Sequence, residues 1–286
     1  MDELYTRIST STKHVLYQYI KDNDVSLLNY HFNYFFQYCI QKYQIQVISH
    51  HFSNHKIEGL TVIDKLGISF SYEKDNPVVK QNFTMCHELG HFILGHEGNY
   101  FAESIDNQES LLEREANIFS AVVLMPDIVL LSKIYYSCET FTNIQNGLGV
   151  SKQALFLRLS EILREYYPGK RSDIKRAIEA YVEGQNASLC LLFHSIKEQI
   201  IKEFNDYQPS LIFRIERSVS KRGFVTSQEY PELLNQKNWQ IIKNLYNNLN
   251  VWLIYDKGKS IAYVWDRNKL TDKEAKRKAE LNLLLM

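Results

Sequence analysis

Apolar and polar positions change period several times along the chain. In residues 23–43 the aromatics Tyr30, Phe32, Tyr34, Phe35, Phe36 and Tyr38 stand among polar residues, which suits a helix packed on a core. Residues 44–48, 57–63 and 67–72 are β-branched and alternate in polarity, so they predict three strands, separated by the turn-like pairs Ser53-Asn54 and Asp64-Lys65. A small, mainly antiparallel sheet is expected. After Asp75-Asn76-Pro77 the period becomes helical over 81–94, with Phe83, His87, His91 and Leu94 along one side, and a loop through Gly95, Gly98 and Asn99 follows. A second helix is predicted over 109–125, stopped by Pro126, with a third beginning near Asp127 as its cap. A helical pair occupies about 140–166: a short helix over 141–146, a turn at Gly147 and Gly149, and a helix from Ser151, its N-cap, to Tyr166.

Pro168 and Gly169 suggest the domain boundary, giving units 1–168 and 169–286. The second unit reads as mixed α/β: a helix over 173–183, apolar runs at 188–194 and 211–214, a hairpin over 251–265 turning at Lys257-Gly258, and a closing charged helix. The fold class is therefore α+β. The 286 residues, 45% of them hydrophobic, suffice for a substantial core.

Charge adds an asymmetry. The 33 basic and 33 acidic residues cancel overall, yet residues 1–169 are acidic by six and residues 170–286 basic by six. A basic unit could meet an acidic partner or nucleic acid, although scattered charge is more often a solvated surface, so direct nucleic-acid binding is not favoured. Cys39, Cys86, Cys138 and Cys190 form no CxxC pair and read as reduced, buried thiols. The N-terminal MDELYTRIST lacks the basic flank and apolar run of a signal peptide. The apolar stretch 118–131 is broken by Pro126 and Asp127, short of the ~20 residues that span a bilayer. A cytoplasmic protein with no membrane partner is expected.

Candidate chemistry concentrates in His87-Glu88-Leu89-Gly90-His91, an HExxH pattern. Two histidines four apart on a helix share a face and can reach one Zn²⁺, while Glu88 beside them can deprotonate water that the zinc activates. A catalytic zinc needs a third protein ligand. Glu113 is preferred because Asn117, four residues on, shares its face and can fix the tautomer of a ligand histidine; Glu115 points about 200° away and is the alternative. His96 falls nine positions after His87, which does not fit the HExxHxxGxxH spacing, so it reads as a helix-end or substrate contact. Tyr100 is an equally placed candidate for contacting substrate or its oxyanion. His50, His51 and His55 read as solvent-facing, with no carboxylate or cysteine at ligand spacing.

The segments FTMCHELGHFILGH (83–96) and EREANIFSAVVLMP (113–126), in this order and separated by a short loop, resemble the ImmA/IrrE-type metallopeptidase family. The likeness extends over about residues 44–166, including VSKQALFLRL (150–159). It implies a minimal zincin-like domain with His87, His91 and Glu113 as zinc ligands and Glu88 as catalytic base. It also implies a protein substrate, a helix-turn-helix transcriptional repressor of a mobile element or stress operon. Relatives often carry a helix-turn-helix domain ahead of the peptidase, but residues 1–43 are too short and too aromatic for one. The 150–159 helix has little polar surface for reading DNA and is expected to support the peptidase instead. Two rival expectations stand beside this one: a non-proteolytic zinc-containing regulator that sequesters a repressor or binds DNA, and a toxin-like peptidase of a two-gene pair.

Overall fold

The computed structural model describes residues 3–51, 57–65, 67–96 and 110–285, together with the backbone of 100–104. The class is α+β, with two small sheets among many helices. The chain divides into two compact units, 3–208 and 209–285 in the described residues.

The first unit opens with α1 (Glu3–Asp22) and α2 (Phe32–Tyr43). The aromatic pattern of 23–43 resolves into a connection followed by α2, capped by His31, and α1 went unrecognised because its polar residues mask the buried stripe of Tyr5, Ile8, Leu16 and Ile20. Strands β1 (Ile45–His50), β2 (Ile57–Asp64) and β3 (Gly67–Glu73) lie within a residue or two of expectation. A fourth strand, β4 (Tyr100–Ser104), occupies what was expected to be loop. The sheet order is β1-β3-β2-β4, and β1 pairs with β3 in parallel while the other pairs are antiparallel. The sheet is thus mixed, because a strand pairing between non-neighbours in sequence leaves no local signal.

Helix α3 (Val78–Ile93) packs on β2 and β3, and α4 (Leu111–Leu124) packs along α3. Ser110 caps α4 by accepting from the Glu113 amide. Next come α5 (Asp127–Leu131) and a π-helical turn over Ser132–Tyr136. The span Leu111–Tyr136 is long and apolar enough to cross a membrane, but 83% of its most apolar window is buried inside the protein, as in a core helix.

Asp127 does not cap α5. Its carboxylate is fully buried, ion-paired with Arg158 and, at 2.7 Å, with Lys13. Arg158 belongs to α7 (Lys152–Tyr166), which follows α6 (Phe141–Leu148) and is capped by Ser151 as expected. Leu155, Leu159, Ile162 and Leu163 of α7 are fully buried, so this helix builds core.

The unit continues past Pro168-Gly169 through α8 (Arg171–Val182) and α9 (Ala187–Asp206). These pack on α7 and α5 through Ile178, Tyr181, Leu189, Phe193 and Ile196, so the boundary lies at Gln208/Pro209 and not at 168/169. Charge could not locate it, since residues 169–208 carry six charges of each sign. The cysteines are all free thiols, but Cys138 is exposed and Cys190 half-buried, unlike Cys39 and Cys86.

The second unit holds α10 (Leu211–Arg222), β5 (Phe224–Thr226), α11 (Gln236–Leu245), β6 (Leu249–Asp256), β7 (Lys259–Asp266) and α12 (Asp272–Leu284). Its antiparallel sheet has the order β5-β7-β6. Alternation along β7 sends Ala262 and Val264 into one apolar cluster with α10 and α11, and Ile261, Tyr263 and Trp265 into another with α12. The β6–β7 hairpin turns at Lys257-Gly258, both with positive φ, as the sequence predicts.

Candidate metal centre

Helix α3 brings His87, Glu88 and His91, each about 1% exposed, to the face it turns toward α4 and β2. Two glycines make the approach possible. A Cβ on Gly59 of β2 would lie 2.3 Å from Glu88 Oε1, and one on Gly90 would lie 3.0 Å from Phe119 of α4. Without side chains at these points, α3 settles close enough to both neighbours for the polar residues to meet.

They do meet. His87 Nε2 lies 3.0 Å from His91 Nε2 and 2.9 Å from Glu113 Oε2, and His91 Nε2 is 3.6 Å from Glu113 Oε1. Ligand atoms on a tetrahedral ion with bonds of about 2.0–2.1 Å stand roughly 3.3 Å apart, which these separations bracket. The three residues form a group that could hold a metal ion.

Hydrogen bonding behind each ring points its lone pair at that centre. His87 Nδ1 is 3.0 Å from Asn117 Oδ1, which can only accept, so Nδ1 carries the proton and Nε2 the lone pair. His91 Nδ1 faces His96 Nδ1 at 2.8 Å, and His96 Nε2 faces Glu115 Oε2 at 2.9 Å. Glu115 accepts from His96 Nε2, leaving His96 Nδ1 to accept from His91 Nδ1, so His91 Nε2 also presents a lone pair. Arg7 of α1 ends the chain by pairing with Glu115.

Burial holds the His91 imidazole below its ordinary value, against the pull of Glu113. Hydrogen bonds from His87 and His91 lower the Glu113 carboxyl from 4.5 to about 2. A divalent cation would take the place of the ring protons held against Glu113, so that a carboxylate and two imidazole lone pairs would ligate it.

Glu88 stands beside the group, and the Thr61 hydroxyl of β2 donates to its Oε2. Thr61, fully buried, was not foreseen, because nothing in a strand of alternating residues marks one threonine as the support of a distant carboxylate. Of the sequence candidates, the structure brings together His87, His91, Glu113 and Asn117, while Glu88, next to His87 in the chain, is held by Thr61. Glu115 is not among the converging atoms, and its bonds to His96 and Arg7 account for its burial. His96 stands behind His91 on the side away from Nε2. The Tyr100 side chain lies outside the described residues, as does His55. His51 faces solvent as expected, but carboxylates do stand beside it: its Nδ1 is 2.9 Å from Asp75 and 3.4 Å from Glu73, which pairing of β1 with β3 supplies from more than 20 positions away.

No curated protein and no solved structure matches the chain. Residues 40–160 match the family model of the IrrE N-terminal-like domain, Peptidase_M78. These residues contain both α3 and α4, and so every atom of the converging group. The match supports the resemblance of this region, residues 40–160, to the ImmA/IrrE-type metallopeptidase family.

Proposed function

We propose that the protein is a zinc-dependent endopeptidase. The observation that carries this reading is the convergence of His87 Nε2, His91 Nε2 and the Glu113 carboxylate, with Glu88 adjoining them, inside a peptidase-family domain. His87, His91 and Glu113 would hold Zn²⁺, three protein ligands being the number that catalytic zinc sites use. When bound, the ion supplies Lewis acidity, making water nucleophilic at neutral pH and polarising the scissile carbonyl.

The chain's own groups do the rest. Glu88 takes the proton from the attacking water and passes it to the departing amide nitrogen. Thr61 anchors one of its oxygens so that the carboxylate keeps its aim through both transfers. Asn117 and His96 hold the ligand rings in the tautomers that leave Nε2 unprotonated. The edge strand β4 offers backbone groups along which an extended substrate segment pairs, bringing its carbonyl to the site. The resemblance to the ImmA/IrrE-type family supports a helix-turn-helix repressor as the substrate.

Glu88→Gln tests the assignment. Zinc stoichiometry measured by mass spectrometry should stay at the wild-type value, while cleavage of a repressor encoded beside the protein falls by at least about 10³-fold. Undiminished cleavage by this variant refutes the base.

A further inference from the structure

The π-helical turn over Ser132–Tyr136 ends at a sharp corner. Cys138 has a φ of 51°, in the left-handed region, which reverses the chain and returns the Glu139 amide to the Lys133 carbonyl at 2.9 Å. The corner leaves the Cys138 side chain exposed. Two neighbouring helices hold it in place. The side-chain amide of Asn186, which begins α9, donates to the Cys138 carbonyl at 3.4 Å, and the Tyr181 hydroxyl of α8 donates to the Glu139 carbonyl at 2.5 Å.

Cys190 lies in the first turn of α9, its backbone amide bonded to the carbonyl of the same Asn186. Its thiol donates to the Ile134 carbonyl at 3.6 Å, while the Cys138 thiol donates to the carbonyl of the next residue, Tyr135, at 3.9 Å. The two sulfurs therefore sit over adjacent carbonyls of one turn. They also act on each other: burial first, then the charge and hydrogen bonding of the Cys138 thiol, hold the Cys190 thiol above its ordinary value. One sulfur is exposed and its neighbour half-buried, an arrangement in which the first meets an oxidant and the second resolves the product. Cys39 and Cys86 are both buried and lack that access.

We propose that Cys138 and Cys190 form a reversible redox site, at which a peroxide oxidises Cys138 and Cys190 then closes a disulfide with it. In the first step the Cys138 sulfur attacks hydrogen peroxide, a sulfur–oxygen bond forms as the oxygen–oxygen bond breaks, and a sulfenic acid and one water result. In the second the Cys190 sulfur attacks that of Cys138, and the hydroxyl departs with the Cys190 proton as a second water. The peroxide thus takes two electrons from the pair, and a thiol reductant returns them. The bridge ties the π-helical turn to α9, and nothing in the peptidase reading requires it.

Peptide mapping of the full chain tests the proposal. The reduced protein is treated with a small molar excess of hydrogen peroxide, denatured in excess alkylating reagent, digested without reductant and mapped by mass spectrometry. A peptide crosslinked between Cys138 and Cys190 of one chain should form and disappear with dithiothreitol, while Cys39 and Cys86 remain alkylated. In Cys190→Ser, dimedone should trap Cys138 as sulfenic acid, and in Cys138→Ser it should label Cys190 about tenfold less. Oxidation of Cys138 without joining Cys190, a crosslink to Cys39, Cys86 or a second chain, or four thiols that all stay alkylated overturns the site. Equal dimedone labelling in the two variants overturns the roles given to the two sulfurs. The wild-type map decides the pairing by itself should either serine variant fail to fold.

Discussion

Two buried polar clusters lie within the first unit, and they are built on opposite principles. Around Asp127 the charges are met internally: Lys13 and Arg158 both pair with the carboxylate, Lys13 also pairs with Glu203 and Arg158 with Glu161, Arg158 donates to the Met125 carbonyl and the Tyr5 hydroxyl, and Tyr166 donates to Asp127. Burial alone would push the Asp127 carboxyl up, but the two cations hold it below its usual value. Around His87 and His91 two imidazole nitrogens and a carboxylate converge on one point, a group that could hold a metal ion. The first cluster is complete as folded and ties α1, α5 and α7 together. The second is a ligand set that a metal ion would complete. Burial of polar groups therefore does not by itself distinguish a structural network from a site, whereas the balance of donors and acceptors does.

Removing the central charge should separate the two clusters most strongly. Asp127→Ala leaves Arg158 and Lys13 buried without their shared partner and should cost about 3–5 kcal/mol, read from the denaturant midpoint. Glu113→Ala in the metal-free protein should change stability by less than about 1 kcal/mol, yet abolish stoichiometric zinc. A comparable loss of stability in both variants would erase the contrast.

A smaller effect should appear with pH at the margin of the first cluster. Burial, reinforced by Asp127 and opposed by Lys13, raises the Glu165 carboxyl from 4.5 to about 7. The folded state thus holds this proton more tightly than the unfolded chain, and the resulting stability is fully present below about pH 4.5 and is lost as pH rises through 7. Glu165→Gln should remove that loss, so that wild type falls relative to the variant by on the order of 1–3 kcal/mol between pH 5 and 8. Parallel unfolding curves at the two pH values would show that Glu165 carries no such penalty.

The smallest change concerns the bonds behind His91. Glu115→Gln keeps the volume but lets an amide donate toward His96, which upsets the chain of protons that leaves His91 Nε2 free. Zinc affinity measured by chelator competition should fall about 10- to 100-fold, with the fold intact by circular dichroism. An unchanged affinity would show that His91 needs no such support.

The spacing of His87 and His91 placed both on one helix face, and the four-residue step from Glu113 to Asn117 put the candidate ligand and the amide that meets His87 side by side. These are consequences of a single helix's geometry, so the chain order alone contains them. The same locality made the Lys257-Gly258 hairpin and the Ser151 cap readable. It failed at α1, whose stripe is diluted by polar residues, at β4 and at the 168/169 boundary, where the outcome depends on what packs against α8 and α9.

By itself the sequence determined the metal-binding vocabulary: which residues could ligate, which could act as base, and which face of each helix bears them. Tertiary structure alone decided that Gly59 and Gly90 let three elements close around that face, that Thr61 holds Glu88, and that Glu115 serves His96 instead of the metal group. The reason is physical. Side-chain identity and helical period act over a few residues, but a hydrogen bond between α3 and β2 or between α1 and α4 exists only after the backbone has brought distant segments within 3 Å of one another.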